Sequence, residues 1–283
     1  MNRSFISTTN LKKILIIFGI IFLILFLILI NSQLTEHNNR TSFNLNYDQF
    51  NEIESYLQQL RARQLTEKET LITPKQQLTK VRTALMLYLQ DNYRLPTELN
   101  HLLGDYLLTL PNEPVSNSKR ISTELDQQGG WYYNPQQTKK TTDLTTLIEA
   151  SFKPNLKPTE NYDQPFKPYR LLISTDEQQL HLKQGPRIIA SYSIGIGAQE
   201  SPTPIGNFTV KNKFPITGEG REDFGNYWIG IDLWTLGGSY GIHGTNNATP
   251  VTEQKSAGCI RMEAEDIKKL YHLIPLQTRI TIK

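Results

Sequence analysis

One segment of the chain holds the residue types that covalent chemistry needs. It reads GIHGTNNATPVTEQKSAGCIRM over residues 241–262 and contains Cys259, the only cysteine among 283 residues. His243 precedes that cysteine by 16 residues. A thiolate is a strong nucleophile, but an ordinary thiol pKa of about 8.5 leaves little thiolate at neutral pH. A histidine that takes the proton corrects this, so the segment predicts Cys259 as nucleophile and His243 as general base.

The neighbours of Cys259 predict the remaining parts of an acyl-transfer site. An oxygen that becomes negative when a thiolate adds to a carbonyl needs aimed N–H donors, and the backbone of Gly258 and Cys259 is the candidate oxyanion hole. Ser256 is expected to hydrogen-bond across the loop, and Arg261 to hold a substrate carboxylate or favour the thiolate. His243, set among glycines, is expected on a loop that folds back over Cys259. Each residue alone also fits a structural role, since a lone cysteine is most often a small buried apolar side chain, but their combination favours catalysis.

This pattern resembles the catalytic domain of YkuD-type L,D-transpeptidases. The family's H-G motif matches His243-Gly244, and its S/T-x-G-C-x-R/N motif matches SAGCIR at residues 256–261. The earlier stretch SPTPIGNFTV at residues 201–210 is similar to the family's T-P-x-G-x-F segment. The resemblance spans about residues 169–283. Ala257 stands where many members have a second histidine, a departure that bears on substrate detail.

The resemblance implies both a fold and a reaction. The fold is mainly β, a sandwich or barrel with one late helix. The reaction is attack of Cys259 on a tetrapeptide stem of peptidoglycan, release of D-alanine, and transfer to an amine of a second stem, which gives a 3-3 cross-link. His243 is the general base, oriented by a backbone carbonyl for which Gly244 is our candidate. The resemblance implies no cofactor and no metal.

Four residues are candidates for substrate binding: Ser256, Arg261, Tyr227 and Trp228. The two aromatics lie on a predicted strand, where they either line a peptide groove or pack in the core. The acceptor also stays open, because water in place of the amine would make the protein an L,D-carboxypeptidase. A further alternative is a non-catalytic envelope scaffold whose C-terminal domain binds the wall.

The N-terminus predicts a membrane anchor. Residues 14–30 are apolar throughout, 17 residues in all, and about 17–25 apolar residues are needed to cross a bilayer. Arg3, Lys12 and Lys13 precede this stretch, and the first acidic residue is Glu36. Residues 1–13 are therefore expected in the cytoplasm, and the catalytic domain outside a cell membrane that the chain crosses once. A cleaved signal peptide is the alternative, but no small-x-small cleavage site follows.

Composition excludes several classes of protein. A net charge of +3 over 283 residues gives no support for a nucleic-acid partner. A single cysteine rules out an internal disulfide framework and a cysteine-cluster metal site. A content of 38% hydrophobic and 20% charged residues suits a packed chain of one or two domains.

Three segments are predicted between the anchor and the catalytic domain at residues 169–283. Residues 31–46 are polar and should form a stalk, 47–150 a mostly helical α+β spacer domain, and 151–168 a proline-rich linker. Part of the spacer, residues 78–135, resembles type II secretion pseudopilins in its Tyr-x-x-Pro and Leu-Pro-x-x-Pro loops. A spacer of this kind offers a surface for an envelope protein partner.

Local patterns predict the elements of these domains. Apolar residues at helical spacing predict a helix over 50–65. A second helix should begin at Thr73, which can cap it, with Pro74 in the first position and Gln76 completing a capping box. A late helix is expected over 263–273. Predicted strands are residues 131–133, 169–174, 179–183, 187–195, 208–213, 227–233 and 278–283.

Overall fold

The computed structural model describes residues 72–136, 143–158, 162, 165–216, 224–235 and 238–283. All of them belong to one compact unit, Arg61–Lys283. The predicted anchor at residues 14–30, the stalk and the predicted helix over 50–65 lie outside the described residues. Of the helices inside these ranges, none is both long enough and apolar enough to span a membrane.

Helix α1 (Pro74–Asn92) begins where its capping signals predicted. The Thr73 hydroxyl accepts a hydrogen bond from the Gln76 N–H at 3.3 Å, and the Gln76 side-chain carbonyl accepts one from the Thr73 N–H at 2.8 Å. These reciprocal bonds satisfy N–H groups that the start of a helix leaves without helical partners. At the other end Tyr93 adopts a left-handed conformation, and its N–H closes the last turn on the Leu89 carbonyl. The predicted capping box is confirmed.

Helix α1 packs on a small layer of mixed structure. This layer contains a 3-10 turn (Leu99–Leu102), strand β1 (Ile121–Ser122), strand β2 (Trp131–Tyr133), helix α2 (Leu144–Ser151) and strand β3 (Phe152–Pro154). The strands form one sheet in the order β1-β2-β3, so the strand predicted at residues 131–133 is confirmed. Trp131 and Phe152 are fully buried, with ring centroids 4.8 Å apart, in a core that also holds the apolar stripe of α1. Strand β3 occupies the first residues of the segment predicted as a linker.

The described residues from 169 onward contain a nine-stranded sheet that closes on itself. Its strands are β4 (Tyr169–Ser174), β5 (Gln179–Gln184), β6 (Arg187–Gly197), β7 (Gly206–Pro215), β8 (Tyr227–Thr235), β9 (Gly238–Thr245), β10 (Lys255–Ser256), β11 (Ile260–Glu263) and β12 (Arg279–Ile282). They are hydrogen-bonded in the order β10-β6-β11-β9-β8-β7-β12-β4-β5, and β5 also pairs with β6, which closes the sheet into a barrel. Helix α3 (Ala264–Leu273) packs its buried face on the same core. The predicted mainly β fold with one late helix is confirmed.

Helix α1 and the barrel share a buried contact. The Tyr169 N–H, at the start of β4, donates to the Thr83 hydroxyl of α1 at 3.1 Å. The Leu276 N–H, between α3 and β12, donates to the Tyr106 carbonyl at 2.9 Å. All four residues are buried, so these hydrogen bonds are shielded from water. The region predicted as a spacer thus packs directly on the barrel, while the domain boundaries stay a prediction.

Candidate active site

Pairing of strands β9 and β11 brings the predicted nucleophile and base together. Cys259 directly precedes β11, and His243 lies within β9. The two strands pair in parallel, with Ile260 opposite Ile242 and Arg261 opposite His243. Ile242 and Ile260 point into the barrel core, and successive side chains of a strand alternate between faces. Cys259, His243 and Arg261 therefore share the outer face, where the thiol and the imidazole are diagonal neighbours.

The prediction that His243 lies on a loop is wrong, because β9 is a central strand between β8 and β11. Its glycines make room for side chains of other elements, a known use of glycine inside strands. A Cβ at Gly241 would lie 2.5 Å from the Trp228 indole, and a Cβ at Gly244 would lie 3.1 Å from Ile267 of α3. Polar Ser239, His243 and Thr245 alternate along β9 with apolar Tyr240 and Ile242, a pattern that could have identified this strand.

The imidazole of His243 is buried and held by a backbone carbonyl. Its exposed fraction is 2%, and Nδ1 lies 2.7 Å from the Gly244 carbonyl oxygen. A carbonyl only accepts hydrogen bonds, so Nδ1 carries the hydrogen and Nε2 is the basic nitrogen of the neutral ring. Burial lowers the pKa of His243, the Gly244 carbonyl and the backbone of Phe224 oppose that shift, and the positive charge of Arg261 adds to it. The neutral ring, which can accept a proton, is thus the favoured form.

The thiol of Cys259 is only partly exposed, and its environment has opposing effects. Burial raises the pKa of the Cys259 thiol above its ordinary value, while the Gly241 N–H and the charge of Arg261 lower it. Because the pKa of His243 is lowered at the same time, both shifts favour a neutral thiol beside a neutral imidazole at neutral pH.

Ser256 fixes the turn that presents Cys259. Its hydroxyl donates to the Cys259 carbonyl at 2.6 Å and accepts the Gly258 N–H at 3.1 Å. Gly258 has a φ of +108°, and a Cβ there would lie 2.4 Å from the Tyr240 ring, so only glycine fits. The predicted hydrogen bond across the loop is confirmed. The bond from the Gly258 N–H to Ser256 argues against this N–H as an oxyanion donor, because it already has a partner. Of the two predicted donors, the Cys259 N–H remains.

Arg261 is the charged neighbour of His243 on the outer face. Its side chain is partly buried, and its Nε is fully buried with no hydrogen-bond partner among the described residues. Its guanidinium lowers the pKa of both His243 and Cys259. An arginine in this position is suited to bind a carboxylate of a substrate. Within the part of the chain that the structure describes, no three His, Cys, Asp or Glu side chains are grouped to hold a metal ion.

The two aromatics predicted to bind substrate lie on opposite faces of β8. Trp228 is directly opposite His243, and the two rings stack with centroids 6.0 Å apart. Tyr227 packs instead against the core and Tyr271 of α3, with ring centroids 4.7 Å apart. Of the two alternatives left open for Tyr227, the structure favours packing in the core, because adjacent residues of a strand face opposite ways. Sequence reasoning also missed Phe224, whose ring lies 4.9 Å from that of His243.

Comparison with known proteins gives one consistent family. A family model for the L,D-transpeptidase catalytic domain, YkuD, matches residues 168–282. Over 115 residues the chain is 36% identical to the putative L,D-transpeptidase YkuD of Bacillus licheniformis, a match that covers 41% of this chain and 66%, just under two thirds, of that relative. Over 128 residues it is 34% identical to the putative L,D-transpeptidase YqjB of Bacillus subtilis, covering 42% and 72%. Among solved structures, Bd1075 of Bdellovibrio bacteriovorus matches at 23% identity and a TM-score of 0.36, covering 42% of this chain and 48% of that one.

Proposed function

Because the chain belongs to the YkuD-type L,D-transpeptidase family, we propose that it cross-links peptidoglycan by acyl transfer through Cys259. The observation that carries this proposal is the pairing of β9 with β11, which sets the Cys259 thiol diagonal to an imidazole whose Nδ1 is bound to the Gly244 carbonyl. A nucleophile, a base and a group that orients the base are the minimum set for nucleophilic catalysis. Here a backbone carbonyl takes the orienting role that an acid takes elsewhere.

In the acylation step, His243 Nε2 accepts the Cys259 proton while the sulfur attacks the carbonyl that joins the L-centre of a diamino acid to terminal D-alanine. The C–N bond then breaks, and the leaving amine takes the proton back from the imidazolium. The products are a thioester on Cys259 and free D-alanine. The Cys259 N–H is the oxyanion donor that we retain, since the Gly258 N–H is bound to Ser256.

In the second step an amine of another stem attacks the thioester carbonyl and gives its proton to His243. The C–S bond breaks, the thiolate of Cys259 recovers that proton, and a 3-3 cross-link remains. Water in the place of the amine would give a trimmed peptide, which is the carboxypeptidase outcome. Arg261, which is paired with His243 in the sheet and whose charge lowers the pKa of both reacting groups, is the proposed partner of a stem carboxylate.

The location that we propose is the outer side of a membrane. The basis is the sequence of residues 1–30, in which Arg3, Lys12 and Lys13 precede 17 apolar residues. A wall substrate would be reached from this position, which agrees with the proposed reaction. The test uses the full chain in vesicles of known orientation, with protease added on the outer side. Residues 72–283 should be digested, and their survival would contradict this arrangement.

The test of the activity is incubation of the full chain in detergent with purified tetrapeptide muropeptides, followed by mass spectrometry. Cross-linked dimers and free D-alanine are expected, together with a thioester-mass adduct on wild type that Cys259→Ala lacks. Ile188→Ala, at a 49% exposed position of β6, is the control and should behave as wild type. Trimmed monomers without dimers would show that the protein hydrolyses the stem. The absence of both product and adduct would overturn the proposal and favour the scaffold role.

A further inference from the structure

Trp228 lies against the imidazole of His243 in a fixed position. The two residues are directly opposite on β8 and β9, and their rings are inclined by only 12° with centroids 6.0 Å apart. The indole N–H donates to the Asn212 side-chain carbonyl on β7 at 3.2 Å. This hydrogen bond restrains the end of the indole, and with it the ring that stacks beside the imidazole.

Two glycines leave the space that the indole occupies. Gly230 and Gly241 are directly opposite on β8 and β9. A Cβ at Gly241 would lie 2.5 Å from Cζ2 of the Trp228 indole, and a Cβ at Gly230 would lie 2.7 Å from its Nε1 and 2.2 Å from the Asn212 oxygen. Neither position accepts a side chain unless the indole moves. Since the Gly241 N–H faces the Cys259 sulfur, the indole also covers backbone that the nucleophile uses.

We propose that Trp228 is a positioning residue, which holds the His243 ring in its working orientation and keeps water from the face that the indole covers. The inference rests on the proposed role of His243 as general base. The Gly244 carbonyl holds the ring at Nδ1, and the ring and backbone of Phe224 also contact it, but these contacts leave the ring free to tilt toward the side of Trp228. The indole on one side removes that freedom, and a misplacement of about 1 Å in a catalytic group costs about 100-fold in rate.

The groups around the imidazole decide the sign of the expected pH effect. Arg261 is its charged neighbour on β11, and Cys259 is the titratable group diagonal to it. Strand β8 contributes Trp228, and helix α3 contributes Ile267 behind the adjacent Gly244, neither of which carries charge. Burial lowers the pKa of His243 more than the charge of Arg261 does. Removing the indole admits water, so the pKa of His243 should rise toward its ordinary value of about 6.5.

The test measures kcat and KM on tetrapeptide muropeptides against pH, with the full chain in detergent. Trp228→Ala should lower kcat by about 10- to 100-fold and move the acid limb of kcat/KM to higher pH. Trp228→Phe keeps an aromatic face and should recover most of kcat. Asn212→Ala frees the indole and Gly230→Ala displaces it. Both variants should therefore move the acid limb of kcat/KM to higher pH, by less than Trp228→Ala does.

A second readout needs no cell-wall substrate. Cys259 is the only thiol of the chain, so iodoacetamide alkylates this side chain alone. The rate of alkylation, measured by mass spectrometry against pH, reports the reactivity of the thiol beside the imidazole. The inflection that His243 imposes on the alkylation rate should also move to higher pH in Trp228→Ala. If it moves while wild type makes no product from muropeptides, the proposed function fails and the positioning role stands.

Other outcomes overturn the inference. A higher KM for Trp228→Ala, with kcat and both pH profiles unchanged, would make Trp228 a substrate contact only. If Trp228→Ala fails to fold by circular dichroism, Asn212→Ala and Gly230→Ala decide, and unchanged pH profiles in both would refute the positioning role. Ile188→Ala, exposed on β6, is the control that should leave every parameter unchanged.

Discussion

Replacing Thr83 with valine tests whether helix α1 and the barrel unfold as one unit. The Thr83 side chain is fully buried, and its hydroxyl donates to the Thr79 carbonyl at 2.7 Å and accepts the Tyr169 N–H at 3.1 Å. Valine has nearly the same shape but no oxygen, so the buried Tyr169 N–H loses its acceptor. A buried donor without a partner costs about 1–3 kcal/mol. In a unit of this size, about 2 kcal/mol corresponds to a fall of ~4–8 °C in Tm.

The assay is thermal and urea unfolding of residues 61–283, the compact unit, followed by circular dichroism and by tryptophan fluorescence. One cooperative transition should shift as a whole, because the lost hydrogen bond joins α1 to the first residue of β4. Thr83→Ser keeps the oxygen but removes a buried methyl group, so it should lose about 0.8 kcal/mol, which is less than the loss expected for the valine variant. Two separate transitions, or an equal loss in the serine variant, would refute the idea that this contact couples the two parts.

Two further predictions concern the site itself. Ser256→Ala removes the hydroxyl that bridges the Cys259 carbonyl and the Gly258 N–H, and should lower kcat/KM by about 10-fold or more. Ser256→Thr should retain activity in the same steady-state assay, and equal losses in both would point to packing instead of the hydroxyl. Because burial lowers the pKa of His243, the basic neutral ring persists below the ordinary pKa of about 6.5, so the acid limb of wild-type kcat/KM should lie below that value. An acid limb of kcat/KM at or above pH 7 would contradict the conclusion that burial lowers the pKa of His243.

The sequence predicted the features that depend on residues close together in the chain. The capping box of α1 depends on Thr73 and Gln76, three residues apart, so the sequence alone identified the first turn of the helix. Cys259 and His243 were found from residue type and neighbouring glycines. The same glycines led to the wrong prediction of a loop, because Gly241 is required by the indole of Trp228, thirteen positions earlier in the chain. The residues next to Gly241 in the sequence do not show that a side chain of another strand fills the space beside it.

Alternation shows that neighbouring residues of a strand face opposite ways, but not which of them faces the site. Tyr227 and Trp228 were equivalent candidates in the sequence, and only the register of β8 against β9, with Trp228 opposite His243, separates them. The role of the Gly258 N–H was hidden for a related reason. Its hydrogen bond to Ser256 depends on a turn with a φ of +108°, which the sequence permits through glycine but does not specify.

The register of the barrel is also what assembles the site. Phe214, Trp228, His243 and Arg261 are paired in turn across β7, β8, β9 and β11, so they form one row on the outer face. A slip of β9 by one residue would turn His243 into the core and expose Ile242, which is fully buried. Loss of that apolar burial opposes the slip, and the barrel closed by β5 and β6 leaves β9 no free edge along which to move. The face of the sheet on which His243 lies is therefore fixed by the same burial that stabilises the fold.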